Sequence, residues 1–300
     1  SNVLSDNEKD IFKNITMYMD DALCCSAVNI MCRYMQRYYN KKVIVLLDEY
    51  DTPMQEAYIH GYWDEFTAFL RSLFNATFKT NPYLERAVMT GITRVSKESM
   101  FSDLNNLNVV TTTSDEYSSC FGFTEEEVFD SLDAFGLSDK KQEVKKWYDG
   151  FTFGSHKDIY NPWSVTSYLD KKRIAPYWAS TSSNGLVSRL LQTASTQVKE
   201  LMEELLRGGT IVVNFDEQIV FNQLDTNESA IWSLLVAGGY LKVNEVEYRG
   251  ELLEPWYHLS ITNLETMSMF SGMFKGWFSN SLSNYNAFVA ALLSGSLKEM

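Results

Sequence analysis

Two adjacent carboxylates, Asp48 and Glu49, follow five apolar residues, Val43-Ile44-Val45-Leu46-Leu47, three of which are β-branched. Such a run suits a strand buried on both faces. Acids just beyond it fall where an open α/β sheet places its ligands, past the carboxyl ends of the strands. Acids in that position suit a metal-bound polyphosphate. Asp48 would hold Mg²⁺, directly or through water, and Glu49 would orient an attacking water. The alternative is a strand that merely ends in a polar turn at Thr52-Pro53.

The elements around the acids favour the chemical reading. Tyr62–Lys79 places Phe66, Phe69, Leu70, Leu73 and Phe74 at helical spacing. A second strand is expected over Glu85–Ile92, and strand, helix, strand in that order is a right-handed crossover that sets the two strands parallel. The second strand runs into Met89-Thr90-Gly91-Ile92-Thr93-Arg94, a polar tip beside the acids. The acid pair has the form of a Walker B motif. In triphosphatases of that type a polar residue at the neighbouring tip (sensor 1) contacts the attacking water or the γ-phosphate. Thr90 is the first candidate for it and Thr93 the second. Arg94, directly after, is placed to stabilise transition-state charge, or is a surface loop residue.

Three blocks, VIVLLDEYDTP at 43–53, MTGITRVSKESMFSDLNNL at 89–107, and WYDGFTFG with YNPWSV at 147–154 and 160–165, together resemble the AAA-ATPase-like family of bacteria and archaea. PYWASTS at 176–182 is a weaker echo, and order and spacing agree from about Ala22 onward. Members are multidomain proteins, often with a PD-(D/E)XK nuclease-like domain at the carboxyl end. The resemblance implies an α/β fold: a partial P-loop NTPase parallel sheet, then a mostly helical region with a winged-helix-like lid. It implies ATP and Mg²⁺ as cofactors, with Asp48 as metal ligand and Asp48, Glu49 and Thr90 at the nucleotide. Glu49, Thr90 and Arg94 would be the catalytic set.

A working P-loop needs G-x-x-x-x-G-K-[ST], whose backbone N–H groups cradle the phosphates. The 300 residues contain no such run, and Gly150 to Lys157 (GFTFGSHK) has the wrong spacing. A single helical segment, roughly Ile11–Tyr39, is expected before the acid strand. The chain therefore reads as an internal fragment, cut before its P-loop segment and before a carboxyl-terminal nuclease-like domain, and those missing parts are its expected partners besides ATP. Taken alone it is not expected to hydrolyse ATP. The competing reading is a non-catalytic interaction or scaffold module that keeps the fold. A nuclease centre within these residues is not expected. Glu143-Val144-Lys145, behind Asp139, lies in a helical pattern, where residues two apart point about 200° apart.

Composition narrows the classes further. A 45% hydrophobic content supports a large core, and a formal charge of −13 argues against direct nucleic-acid contact. Lys140-Lys141, Lys145-Lys146 and Lys171-Lys172-Arg173 read as solvated helix surfaces. There is no signal peptide or membrane-spanning apolar stretch, so a cytoplasmic location is expected. Cys24, Cys25, Cys32 and Cys120 read as buried thiols in a reducing compartment.

Three regions are expected: 1–120, the P-loop ATPase-like core; 121–225, a mostly helical lid or linker; and 226–300, a winged-helix-like segment with terminal helices. Asn108–Thr113 is a candidate third strand. Thr124 and Glu127 form a capping box at the start of a helix, and a second helix covers Lys140–Tyr148. Phe151-Thr-Phe and Asp158-Ile-Tyr flank a hairpin turn at Gly154-Ser155. Asn161-Pro162 opens the next helix, and Gln192–Gln197 is the most linker-like stretch. A helix near Glu228–Ala237 precedes strands Tyr240–Val246 and Trp256–Ser260, a two-stranded wing crowded with acids. Two packing helices are expected in 261–300. The Tyr148-Asp149-Gly150 and Tyr160-Asn161-Pro162 blocks carry no assignable chemistry.

Overall fold

The computed structural model describes residues 3–79, 81–92, 104, 107–179, 185–216, 224 and 227–275. The mixed α/β chain divides into two units, Ser1–Val109 with Asp216–Leu234, and Val110–Phe215 with Leu235–Met300.

In the first unit, α1 (Asp6–Asn14) begins with a capping box between Ser5 and Glu8. Then α2 (Asp21–Tyr39) begins at Asp20, whose carboxylate accepts the Leu23 N–H at 2.8 Å. The single helix expected over Ile11–Tyr39 is thus two. Asp20 takes extended backbone and satisfies an orphan donor of a new helix in place of continuing the old one. Strand β1 (Val43–Leu47) is followed by α3 (Thr52–His60), α4 (Trp63–Phe74), a π-helical turn over Asn75–Lys79, and β2 (Leu84–Met89). As the crossover requires, β1 and β2 pair in parallel, with Leu46 opposite Val88 and Leu47 opposite Met89. Thr52-Pro53 opens α3 and is no turn: proline in the first helical turn lacks only an N–H that would have no partner there. Both α2 and α3 pack against α4, burying Cys32, Met54, Ala57, Leu70 and Phe74.

The expectation that β1 is buried on both faces fails. Val43, Val45 and Leu47 are half-buried, whereas Ile44 is 59% and Leu46 75% exposed. Strand side chains alternate between faces. Within this unit α2 packs against the strand, and the Ile44–Leu46 face stays open among the described residues.

The second unit contains β3 (Phe123–Thr124), α5 (Glu125–Ala134), α6 (Lys141–Tyr148), β4 (Phe151–Phe153), β5 (His156–Tyr160) and α7 (Pro162–Lys171). The capping box at Thr124, the hairpin β4–β5 and the Asn161 cap of α7 all form as their sequences dictate. Strand β5 lies between β3 and β4. Around this sheet Val128, Leu132, Val144, Tyr148, Tyr160, Val165 and Tyr168 make one core. Asn108–Thr113 is not a strand. The Thr111 backbone and side chain bond to Ser114 in a turn, and the Thr112 carbonyl accepts the Gly154 N–H. Lys145, expected on a solvated face, instead bonds Glu125 and pairs with Asp158. Cys120 is exposed and Cys24 and Cys25 are half-buried, so of the four thiols Cys32 alone is buried.

Farther on come α8 (Gly185–Thr193), α9 (Thr196–Leu206), β6 (Ile211–Val213), α10 (Ser229–Ala237), β7 (Leu241–Arg249) and β8 (Glu254–Ile261). Gln192–Gln197 is a helix junction and no linker: Ala194 is buried and Ser195 caps α9. The two strands expected as a wing lie in a three-stranded sheet, because β6 pairs along the other edge of β8. Residues 264–275 are helical. Glu265 anchors them, accepting hydrogen bonds from the Ser164 hydroxyl (2.7 Å) and the Trp178 N–H (2.7 Å). The second helix expected at the carboxyl end lies outside the described residues. No described helix is long and apolar enough to cross a membrane.

Candidate functional site

The acids at the end of β1 are held by the residue just past β2. The Thr90 N–H donates to the Leu47 carbonyl, and the Tyr50 N–H donates back to the Thr90 carbonyl, both at 2.9 Å. These bonds carry the parallel pairing one step beyond the strands and bring the Thr90 side chain over the acid pair. Its hydroxyl oxygen accepts the Glu49 N–H at 3.1 Å. Its proton goes to Asp48 Oδ1. Asp48, Glu49 and Thr90, chosen from sequence, therefore converge.

Glu49 adopts a left-handed backbone, φ +50°. A non-glycine residue takes that conformation rarely and at some cost, so its surroundings must impose it. Here the Thr90 hydroxyl holds its N–H, and its carboxylate accepts the Thr52 hydroxyl at 3.3 Å. Both Asp48 and Glu49 remain exposed and open to a ligand.

The set is all oxygen: two carboxylates and a hydroxyl, the donor chemistry that Mg²⁺ takes. Asp48 Oδ1 is engaged by Thr90, so Oδ2 is the oxygen of this exposed carboxylate that Thr90 does not bond. The single Thr90 proton is committed to Asp48, so toward an added water the hydroxyl offers a lone pair. Thr93 and Arg94 lie outside the described residues.

Two residues were missed by sequence reasoning. Asp51, the third acid of the Asp48-Glu49-Tyr50-Asp51 run, is 1% exposed at the start of α3, where its carbonyl accepts the Met54 and Gln55 N–H groups. Its place before Thr-Pro was the available signal, since Asp favours the position before a helix. Gly91 is the second. A Cβ there would stand 2.7 Å from both Asp51 Oδ1 and Tyr50 Cε1. A side chain at this position would have to displace Asp51 or Tyr50, which glycine avoids.

The chain is 27% identical over 227 residues to an uncharacterized protein in the vnfD 5′ region of Azotobacter chroococcum mcd 1, a match covering 75% of this chain and 41% of that protein. The chain thus spans about two-fifths of the length of the curated relative it matches. No solved structure matches it. Residues 2–101, the amino-terminal third, match the AAA-ATPase-like family, described as a predicted AAA-ATPase; the motif block at 43–53 lies within that match and those at 147–154 and 160–165 lie beyond it.

Proposed function

We propose that this chain contributes the acid-bearing half of a Mg²⁺-dependent ATP-binding and ATP-hydrolysing module, with Asp48-Glu49 as its Walker B acids. The observation that carries the reading is the Thr90 hydroxyl bonded to both members of the acid pair at the ends of two parallel strands. Such a clamp fixes the Asp48 carboxylate and the Glu49 backbone, while the Thr52 hydroxyl bonds the Glu49 carboxylate. Exposure leaves both carboxylates able to meet a ligand.

In this reading Asp48 holds Mg²⁺ through water, and the ion supplies neutralisation of phosphate charge when bound. Glu49 orients the attacking water, and Thr90 positions both acids while accepting from that water. Arg94 is assigned the charge-stabilising role from its sequence position alone. The phosphate cradle, G-x-x-x-x-G-K-[ST], does not occur in these 300 residues, and this reading assigns it to a segment outside them. A nuclease-like domain, common in the family, is the proposed object of regulation. Direct nucleic-acid contact is assigned to that domain and not to this strongly acidic chain. The proposed compartment is the cytoplasm, where ATP is abundant.

The open Ile44–Leu46 face favours a second reading, an interaction module that keeps the fold without turnover. One experiment separates them. In the complete gene product, Glu49→Gln should retain ATP binding and lose turnover by roughly 10²-fold or more, the range for removing a group that activates the nucleophile. Unchanged turnover, or no ATP binding by the wild type, overturns the enzymatic reading.

A further inference from the structure

The two sequence blocks without assigned chemistry meet in space. Asp149, from Tyr148-Asp149-Gly150, and Asp158, two residues before Tyr160-Asn161-Pro162, come together with Glu125 at the start of α5. One carboxylate oxygen from each lies within 4.8 Å of the others. Two oxygens bound to one ion at about 2.4 Å can stand up to roughly 4.8 Å apart, so the three are close enough for small side-chain rotations to bring them to a common ion.

Clustered acids alone do not make a site, and here a second observation points to a ligand. Asp149 is 8% exposed, and its Oδ1 is buried without a hydrogen-bond partner. A buried carboxylate oxygen with nothing to bond is costly. The nearby cation does not relieve it. Lys145 Nζ bonds Glu125, lies 3.4 Å from Asp158, and stays 3.9 Å from the other Asp149 oxygen. Three carboxylates thus share a single directly paired ammonium. A hollow of about 140 Å³, lined by Gly150, Thr152, Lys157, Asp158, Lys242, Val243 and Asn244, borders Asp158. It offers a route of entry and room for the waters that complete a coordination shell.

We propose that Glu125, Asp149 and Asp158 form a binding site for a hard divalent cation of the Mg²⁺/Ca²⁺/Mn²⁺ class, with Lys145 as its built-in competitor. Oxygen-only donors select that class over zinc or copper. The Lys145 side chain is flexible and about one-third exposed, so it can swing to solvent when an ion enters. The site is independent of Asp48 and needs no nucleotide.

The test uses Tb³⁺ as probe and Ca²⁺ as competitor on the 300-residue chain, with tyrosine-sensitised luminescence as readout. The Tyr160 phenol donates to Glu125 at 3.3 Å and is placed to sensitise a bound lanthanide. Asp48→Asn should leave the Ca²⁺-competable signal intact, which separates this site from the proposed nucleotide site. Asp149→Asn should weaken Tb³⁺ on the order of tenfold or more by removing ligand charge. Lys145→Gln should tighten it by a similar factor, which a purely structural ion cluster would not do. Should Asp149→Asn lose its fold by circular dichroism, Asp158→Asn, at a more exposed position, carries the same expectation. A signal unchanged by the aspartate substitutions, or not tightened in Lys145→Gln, overturns the proposal.

Discussion

The backbone N–H of Glu49 ends on the hydroxyl oxygen of Thr90, 3.1 Å away, and that bond joins two residues 41 positions apart. It is the point at which a strained left-handed acid on one strand becomes answerable to a side chain on the next.

Thr90→Val should therefore free the Glu49 N–H and one Asp48 oxygen together. Both sites can be rehydrated, so the cost should be about 1 kcal/mol. Thr90→Ser, which keeps the hydroxyl, should cost less. Urea denaturation of the two variants measures the difference, and equal stabilities would remove the clamp from the account.

Gly91→Ala places a methyl 2.7 Å from Asp51 Oδ1 and Tyr50 Cε1. Gly91 itself is exposed but Asp51 is buried and has little room to yield, and overpacking of this kind typically costs about 1–3 kcal/mol. A thermal midpoint unchanged in Gly91→Ala would show that the strand tips can separate freely.

Asp149 gives a pH signature. Burial pushes its carboxyl up to about 6, with Asp158 raising it further, while the Gly150 N–H and Lys145 oppose the shift. A carboxyl raised above its unfolded value of about 3.9 binds more protons in the folded state between those two pH values. Its contribution to stability is thus greatest below about pH 4 and is lost as pH rises through about 6. Asp149→Asn should gain on the wild type across that window, by about 2 kcal/mol after allowing for water screening. Chelator-treated protein, melted in urea at pH 4.5 and pH 7.5, tests the sign. A gain that shrinks with rising pH contradicts it.

Glu265 is fully buried, and its carboxyl is raised by burial against the hydrogen bonds it accepts from Ser164, Trp178 and Ala179. Glu265→Ala would orphan those donors, and a loss of about 3 kcal/mol or more is expected. Ser164→Ala should cost less, about 1 kcal/mol. In a double-mutant cycle the two losses should fall short of additive, and full additivity would mean the pair does not interact.

Local chemistry by itself determined much of this protein. The capping box at Thr124, the Asn161-Pro162 helix start, the β4–β5 hairpin and the strand carrying Asp48-Glu49 depend on neighbours within a few residues. Short-range hydrogen bonds and fixed dihedrals set them, so their residues announce them. That the tip carrying Thr90 lies beside the acids was legible too, because strand, helix, strand leaves few ways to place two tips, but its hydrogen bonds to Asp48 and Glu49 were not. What only the tertiary structure decided depends on partners far apart in the chain. The apolar run of β1 could not show that Ile44 and Leu46 would be left open, since burial belongs to whatever packs on that face. Lys145 looked like a surface lysine until α5 and β5 brought Glu125 and Asp158 to it. Asp149 carried no sign of its burial beside Glu125 and Asp158 for the same reason: a carboxylate's chemistry is set by its burial and by the charges around it, and those exist only once the chain has folded.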